Sequence, residues 1–391
     1  MKMEKQNSDV INEREKWITI PSMKIPRLFF GATAIGDKIY VGGGRNKENR
    51  FLSSVEVYDS KSKMWSELPC MNRSLVGCAV TSVGGKVYVV GGFGNRRRRS
   101  FCEMFDPATN KWTSIPDMNE IPRWYCTACA IGDKLYVIGG LQDGLGYYSS
   151  VEVFDTITQE WSSIPNMTTK RWGCAAVSVG NKIYVFGGRN IDTYLSSAEV
   201  YDVTSQKWTR LPNMREKRYC CAAIAVGNMI YVVGGQGDIT VHSSCEVLDT
   251  STNTWSSLSL PEMNEAKGGC QTVSIGPNIY VIGGSSGLTS TSSVEMLEMS
   301  IESLFPVHDT YVIVEGGYQS PKSLENLCID QFCRSLPHID GDIPPRYPQH
   351  VINAILKSLV SHGAYLNETA LKPFRHYYNK LGPLPLLMEY E

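Results

Sequence analysis

The sequence lacks any long hydrophobic run and has almost no net charge. Nowhere in its 391 residues do eighteen consecutive apolar residues occur, and the first seventeen residues contain no apolar stretch typical of a signal peptide. The 38 basic residues nearly balance the 39 acidic ones, so the net charge is −1. These absences argue against a membrane partner and against a general attraction to nucleic acid. We expect a cytoplasmic protein, with the nucleus as an open alternative.

One short segment recurs six times along the chain. It reads YVGG at 40–43, YVVGG at 88–92, YVIGG at 136–140, YVFGG at 184–188, YVVGG at 231–235 and YVIGG at 280–284. An alternating segment such as SSVEVYD at 53–59 follows, and then a tryptophan. Each unit therefore predicts four short antiparallel strands bounded by turns. One such sheet cannot bury both of its faces, so the units are expected to stack in a ring.

Glycine doublets, Tyr-Asp pairs and tryptophans at this spacing resemble the Kelch repeat. The resemblance covers residues 17–299 and implies an all-β, six-bladed propeller. The tryptophans are Trp17, Trp65, Trp112, Trp161, Trp208 and Trp255. Because Trp17 precedes the first doublet and none follows the sixth, residues 16–23 are expected to supply the outer strand of the last blade.

The predicted domain organisation has five parts. They are a disordered N-terminal tail at 1–15, the propeller at 16–299, a linker at 300–322, a small α-helical module at 323–375 and a C-terminal tail at 376–391. The linker contains TYVIVEGG at 310–317, which resembles an extra strand or a decayed repeat.

Histidine is too scarce for the redox chemistry found in some enzymes of this architecture. His242 is the one histidine within 16–299, whereas a copper site needs several imidazole or thiolate ligands that converge on one point. A sialidase-like site needs clustered arginines that face a tyrosine and carboxylates, and the repeating arginines here follow the phase of the repeat. We therefore expect no enzymatic activity, no metal and no cofactor.

Two residue types recur in phase with the doublets. Arginine does so at Arg27, Arg73, Arg123, Arg171 and Arg218, with Lys267 in the sixth unit. Cysteine lies ten residues before the motif tyrosine at Cys78, Cys126, Cys174, Cys221 and Cys270, with Phe30 in the first unit. Equivalent positions on neighbouring blades are too far apart for a disulfide, and buried cysteine packs as a small hydrophobe. We interpret these cysteines as packing residues.

Function is expected where the units differ, because Kelch-like propellers hold proteins or peptides with the loops of one face. Two sets of loops vary, one directly after the glycine doublets and one after the recurring arginine. Aromatic and arginine side chains dominate interface hot spots. The predicted partner-binding residues are Arg45, Asn46, Arg96, Arg97, Trp124, Tyr125, Trp172, Arg189, Asn190 and Tyr219.

Several of these residues also have a purely structural interpretation. Trp124, Trp172 and Tyr219 could serve only to pack neighbouring blades together. Arg45 and Arg189 directly follow a doublet and suit a bidentate grip on a carboxylate. The run of arginines at 96–99 is either a solvated loop or a grip for an acidic or phosphorylated segment, and it lacks the interleaved aromatics of a nucleic-acid site.

The segment after 323 changes to helical periodicity. Leu324, Cys328 and Phe332 resemble the elongin-binding helix of SOCS-box proteins, and IPPRYP at 343–348 is similar to the turn with which such boxes select a cullin. The resemblance implies elongin and cullin as partners and a substrate receptor of a cullin-RING ubiquitin ligase. The alternative is a structural or cytoskeletal scaffold whose helices only cap the propeller.

Overall fold

The computed structural model describes residues 16–94, 101–118, 122–142, 146–257, 260–287 and 289–299. These residues form 28 β-strands and contain no helix, hence none that could cross a membrane. Six sheets have four strands each, which confirms the predicted all-β, six-bladed propeller. The predicted helical module and both predicted tails lie outside the described residues.

The strands of the first three blades follow one pattern, with a short extra pair in blades 2 and 3. Strand β1 (Trp17–Ile20) precedes blade 1. Blade 1 comprises β2 (Gly31–Ile35), β3 (Lys38–Gly42), β4 (Val55–Asp59) and β5 (Met64–Leu68). Blade 2 contains β6 (Leu75–Val76), β7 (Ala79–Val83), β8 (Lys86–Val90), β9 (Phe93–Gly94), β10 (Cys102–Asp106) and β11 (Lys111–Ser114). Blade 3 contains β12 (Thr127–Ile131), β13 (Lys134–Ile138), β14 (Leu141–Gln142), β15 (Gly146–Tyr147), β16 (Val151–Asp155) and β17 (Glu160–Ile164).

The other three blades repeat the four-strand pattern. Blade 4 comprises β18 (Ala175–Val179), β19 (Lys182–Phe186), β20 (Ala198–Asp202) and β21 (Lys207–Leu211). Blade 5 comprises β22 (Ala222–Val226), β23 (Met229–Val233), β24 (Cys245–Asp249) and β25 (Thr254–Trp255). Blade 6 comprises β26 (Gln271–Ile275), β27 (Asn278–Ile282) and β28 (Val294–Leu297) and is completed by β1.

The ring closes where the sequence predicts it to close. Strand β1 pairs antiparallel with β28, with Trp17 opposite Leu297 and Ile20 opposite Val294. The indole Nε1 of Trp17 donates to the carbonyl oxygen of Pro261 in blade 5 at 2.9 Å. Trp65, Trp112, Trp161, Trp208 and Trp255 donate in the same way to Pro21, Pro69, Pro116, Pro165 and Pro212 at 2.7 to 2.8 Å. One recurring hydrogen bond therefore ties each blade to the blade before it.

The hydrophobic core is divided among the contacts between neighbouring blades. Between blades 4 and 5, for example, Phe186 and Leu211 pack against Ile230 and Leu248. The second strand of each blade is buried along four residues because both of its faces meet a neighbouring sheet. The innermost strands carry mainly small side chains and surround a central channel of about 360 Å³. The fold thus leaves its loops as the variable part of each unit.

Candidate functional site

The two variable loop sets meet on one face of the propeller. Strands one and two of each blade are antiparallel, so the start of the first lies beside the end of the second. In blade 1, Arg45 and Leu28 exchange backbone hydrogen bonds of 2.9 and 3.0 Å. In blade 4, Arg189 and Trp172 exchange bonds of 2.9 and 3.1 Å. We call this end of the ring, where the glycine doublets lie, the doublet face, and the opposite end the turn face.

A closed ring of backbone hydrogen bonds surrounds the channel at the doublet face. It has one member per blade, and each N–H donates to the carbonyl of the preceding member. The members are Phe29, Gly77, Tyr125, Gly173, Cys220 and Gly269, and the N···O distances run from 2.7 to 3.3 Å. All six have positive φ, between 51° and 65°. Three of them are not glycine, and a left-handed conformation costs such residues roughly 1–3 kcal/mol each.

Large and small residues alternate around this ring for a steric reason. A Cβ on Gly173 would lie 2.5 Å from Cε2 of Tyr219 and 2.9 Å from Sγ of Cys220. A Cβ on Gly269 would lie 2.9 Å from the Phe29 ring. Each glycine therefore leaves room for the larger residues of the next blade. The rings of Phe29 and Tyr125, with centroids 4.8 Å apart, contact each other at the mouth of the channel.

An aromatic patch extends from this mouth across blades 1 to 5. Trp172 connects it, since its ring lies 5.5 Å from Tyr125, 6.1 Å from Tyr147 and 4.7 Å from Tyr219. The members of the patch are Phe29, Phe51, Phe93, Trp124, Tyr125, Tyr147, Trp172, Tyr194 and Tyr219. Burial raises the pKa of both Tyr125 and Tyr219, so these phenols stay neutral. The patch offers a largely apolar surface with hydroxyl groups at intervals.

Two arginines stand on opposite sides of the patch. The Cζ of Arg45 lies 5.3 Å from the centre of the Phe29 ring, and the Cζ of Arg189 lies 5.9 Å from Trp172 and 5.3 Å from Tyr194. Both side chains are half-buried. Within the part of the chain that the structure describes, neither guanidinium forms an ion pair. A stacked guanidinium keeps its edge N–H groups available for a planar acceptor such as a carboxylate.

The two predicted asparagines shape their own loops. The Oδ1 of Asn46 accepts from the backbone N–H groups of Glu48 and Arg50 at 3.1 and 2.9 Å. The Oδ1 of Asn190 accepts from Asp192 and Thr193 at 3.0 and 2.8 Å. These turns hold the loops that follow Arg45 and Arg189. A direct role of either asparagine in binding stays a prediction.

Two isoleucines at loop tips add exposed apolar surface to the doublet face. Ile191 in blade 4 is 70% exposed and Ile239 in blade 5 is 95% exposed. Both loops follow a glycine doublet. Such side chains gain free energy when a partner covers them.

The recurring arginines lie beneath this face and are structural. Arg171 has no exposed area and donates to the carbonyls of Gly187 and Ser197, to the Ser197 hydroxyl and to Oε1 of Glu199, at 2.8 to 3.2 Å. Arg27, Arg123 and Arg218 make the corresponding contacts with Glu56, Glu152 and Glu246. In blade 6, Lys267 pairs with Glu265 and Glu295. We call these five residues the buried cation layer.

Arg73 does not belong to this layer, and its predicted place in the repeat is wrong. The carbonyl of Leu75 accepts from Gly44 N–H, as the Arg123 carbonyl accepts from Gly92 N–H, so Leu75 holds the equivalent position. Arg73 instead stacks on Phe101, with Cζ 3.5 Å from the ring centre. Blade 2 is left with the buried carboxylate of Glu103, which accepts from Asn72.

The in-phase cysteines are buried packing residues, as the sequence predicts. Burial raises the pKa of Cys78 and Cys174 to about 12 and that of Cys126 to about 11, so all three remain thiols. The Sγ of Cys126 lies 3.8 Å from the carbonyl oxygen of Arg123. Among the described residues, no cysteine forms a disulfide, and no three His, Cys, Asp or Glu side chains are placed to share a metal ion.

Some predicted site residues lie outside the described residues, and the sequence reasoning missed others. The former are Arg96 and Arg97 in the blade 2 loop and Leu324, Cys328 and Phe332 in the C-terminal module. The latter are Phe51, Phe93, Tyr194 and Ile239. Phe93 directly follows Gly92, the position that Arg45 and Arg189 occupy in their own blades. Strict counting from the glycine doublets would have found it.

Comparison with known proteins agrees with this geometry. A model of the KLHDC2/KLHL20/DRC7 Kelch-repeats domain matches residues 10–140 and again 77–284. The F-box/kelch-repeat protein At1g16250 of Arabidopsis thaliana is 43% identical over 47 residues, which is 12% of this chain and 12% of that protein. The match therefore spans only a small part of the curated relative. Kelch propellers are protein-binding modules, and this chain belongs to the KLHDC2/KLHL20/DRC7 Kelch-repeat family.

Proposed function

We propose that this protein is an interaction adaptor whose doublet face binds a protein or a peptide. The observation that carries the proposal is the pair of half-buried guanidiniums, Arg45 and Arg189, which stack on an aromatic patch and have no carboxylate partner among the described residues. Arginine and large aromatic side chains supply most of the free energy at protein interfaces. The family supports the same assignment, since a Kelch propeller is a protein-binding module.

A comparative pull-down with the full chain tests this function. An Arg45→Ala, Arg189→Ala variant is compared with an Arg210→Ala, Lys182→Ala control, which removes the same charge from positions exposed elsewhere on the propeller. We expect proteins captured by the wild type and by the control to be lost from the face variant. Equal capture by all three proteins, each checked for the same melting temperature, would contradict binding at this face.

We further propose that the adaptor is a substrate receptor of a cullin-RING ubiquitin ligase. The support is the resemblance of Leu324, Cys328 and Phe332 to the elongin-binding helix of SOCS-box proteins. Further support comes from the similarity over 47 residues to At1g16250, whose name joins an F-box to kelch repeats.

The ligase proposal has its own test. A Leu324→Asp, Cys328→Asp variant is compared with an Asn326→Asp, Gln331→Asp control in pull-downs probed for elongins and cullins. Capture by the wild type and the control, but not by the first variant, is the expected result. Absence of elongin and cullin from all samples would favour the alternative, a scaffold with a helical cap and no role in ubiquitin transfer.

We place the protein in the cytoplasm, with the nucleus as the alternative, on the basis of its sequence. Imaging of the tagged full chain, with cytoplasmic and nuclear markers, tests this placement.

A further inference from the structure

Arg45 and Arg189, which form no ion pair with a described residue, occupy equivalent positions in opposite blades. The inner strands contact one another in a closed order around the channel, so blades 1 and 4 face each other across it. Arg45 and Arg189 are the residues that directly follow their glycine doublets. The same position holds Phe93, Leu141, Gln236 and Ser285 in the other four blades. Charge at this position is therefore confined to two sites on opposite sides of the channel mouth.

Each guanidinium is held in place without a counter-ion among the described residues. Backbone hydrogen bonds to Leu28 and Trp172 fix the two arginine backbones, and ring stacking orients the side chains. By contrast, Lys217 on the same face is paired with Asp238 at 2.8 Å. Partial burial of a cation without a counter-ion costs free energy unless a ligand supplies the missing charge.

The surface between the two arginines is aromatic. From Arg45 the ring contacts run through Phe29, Tyr125 and Trp172 to Arg189, with centroid separations of 4.8 and 5.5 Å between successive rings. The indole Nε1 of Trp172 is shielded from solvent and has no hydrogen-bond partner in the described structure. A ligand that reaches both arginines must lie across these rings.

We propose that the ligand is an extended peptide segment with two carboxylates and an apolar side chain between them. One carboxylate pairs with Arg45, the other pairs with Arg189, and the apolar side chain covers the rings of Phe29, Tyr125 and Trp172. The inference rests on the proposed function and specifies the ligand. Carboxylates suit these sites better than phosphates because, among the described residues, one stacked guanidinium stands at each site, whereas phosphopeptide sites use arginine clusters.

The first stage of the test selects ligands from random sequences, so it requires no identified partner. A phage-displayed library of random peptides is panned on the full chain, with a parallel selection on the Arg45→Gln, Arg189→Gln variant for subtraction. We expect wild-type-specific peptides in which two Asp or Glu residues flank an apolar residue. Selected peptides that are not enriched in Asp or Glu, or a selection that yields no binding peptide, would overturn the inference.

The second stage assigns each carboxylate by double-mutant cycles. A selected peptide and its two single Asp→Asn or Glu→Gln analogues are titrated against the wild type, Arg45→Gln, Arg189→Gln and an Arg210→Gln control. Each face substitution is expected to weaken binding roughly tenfold or more. Each should also couple to one peptide carboxylate and not to the other. A phosphorylated analogue that binds more tightly than the carboxylate peptide would overturn the assignment of carboxylates.

The outcomes separate failure of this inference from failure of the proposed function. Peptides that lose affinity with Trp172→Ala but not with either arginine variant would leave the doublet face as the binding site and would refute the two-carboxylate ligand. Peptides whose affinity is unchanged by every substitution on the doublet face would refute both the two-carboxylate ligand and binding at this face.

Discussion

Arg171 and Arg189 belong to the same blade and have opposite surroundings. Arg171 is fully buried, pairs with Glu199 at 2.9 Å and has counterparts in the buried cation layer of four other blades. Arg189 is half-buried, stacks on two aromatic rings and shares its position and charge with Arg45 alone. The difference teaches that an arginine repeated at one position in most blades stabilises the fold, whereas the arginine that occurs at its repeat position in only two blades has no ion-pair partner among the described residues.

The largest loss of stability is expected when Arg171, the buried arginine of this pair, is replaced. Arg171→Met leaves the Glu199 carboxylate buried without its cation, which is expected to lower the free energy of unfolding by about 3–5 kcal/mol. Chemical denaturation of the variant measures the change. A loss below about 1 kcal/mol would show that the buried layer is not a main source of stability.

The backbone ring that surrounds the channel at the doublet face is expected to be nearly as sensitive. Gly173→Ala forces a Cβ against Tyr219 at a residue with φ of 59°. A loss of roughly 1–3 kcal/mol is expected. Gly180→Ala, at φ of 55° but with open space around its Cβ, is the matched control for the φ effect alone. Equal melting temperatures for the two variants would contradict the steric account of the alternating ring.

Blade 2 sharpens the comparison because it keeps the buried carboxylate of Glu103 but has Leu75 at the position where the other blades have a buried cation. Burial raises the pKa of Glu103, and the hydrogen bonds from Asn72 and the charge of Arg73 do not offset it. Burial also acts to raise the pKa of Glu199, but the Thr168 hydrogen bond and the Arg171 charge outweigh it, so that pKa is lowered. A carboxyl group whose pKa is raised by folding, such as Glu103, contributes stability that is lost as the pH rises through that pKa. A carboxyl group whose pKa is lowered by folding, such as Glu199, contributes stability that is lost as the pH falls through that pKa.

The two Glu→Gln substitutions should therefore have different effects on the free energy of unfolding at neutral pH. Glu199→Gln should destabilise the protein at neutral pH, and its deficit should shrink in acid. Glu103→Gln should leave stability unchanged or raise it by up to about 1 kcal/mol at neutral pH. Its advantage should vanish below the ordinary glutamate pKa of about 4.3. Unfolding curves from acid to neutral pH measure both, and parallel behaviour of the two variants would contradict the role given to Arg171.

The smallest effect on stability is expected at the half-buried pair, Arg45 and Arg189. Arg189→Ala removes stacking contacts but no ion pair with a described residue, so its free energy of unfolding should change by less than about 0.5 kcal/mol. Denaturation of this variant beside Arg171→Met measures the contrast. A loss of more than about 2 kcal/mol at Arg189 would show that its role is structural.

The repeat makes most of this fold predictable. The position of a residue within the repeat explains why the ring closure is predicted correctly and why the assignment of Arg73 is wrong. The position of Trp17 ahead of the first doublet predicts the ring closure because strand pairing follows from the count of units. The prediction for Arg73 is wrong because this residue stands two residues before the true position, Leu75, whose carbonyl accepts the hydrogen bond from Gly44. The spacing to the in-phase cysteine shows the same shift, because Arg123 and Arg171 lie three residues before Cys126 and Cys174, whereas Arg73 lies five residues before Cys78.

The aromatic patch is predictable only in part because it is built from contacts between blades. Trp172 and Tyr219 are indicated by their place after the recurring arginine. Tyr194, which stacks on Tyr219 with ring planes 2° apart, gives no such signal. The left-handed conformation of Phe29 and Tyr125 is unexpected for non-glycine residues, and its one sequence signal is the glycine at the equivalent position in three other blades.

The central claim is that the doublet face, and not the turn face, binds the partner, and three exposed isoleucines test it most directly. Ile191 and Ile239 lie on the doublet face, and Ile157, which is 73% exposed, lies in the turn between β16 and β17 on the turn face. A photocrosslinking amino acid is placed at each site in turn, and the full chain is irradiated in cells. We predict light-dependent adducts from positions 191 and 239 and none from position 157. Adducts from position 157 alone would contradict the account.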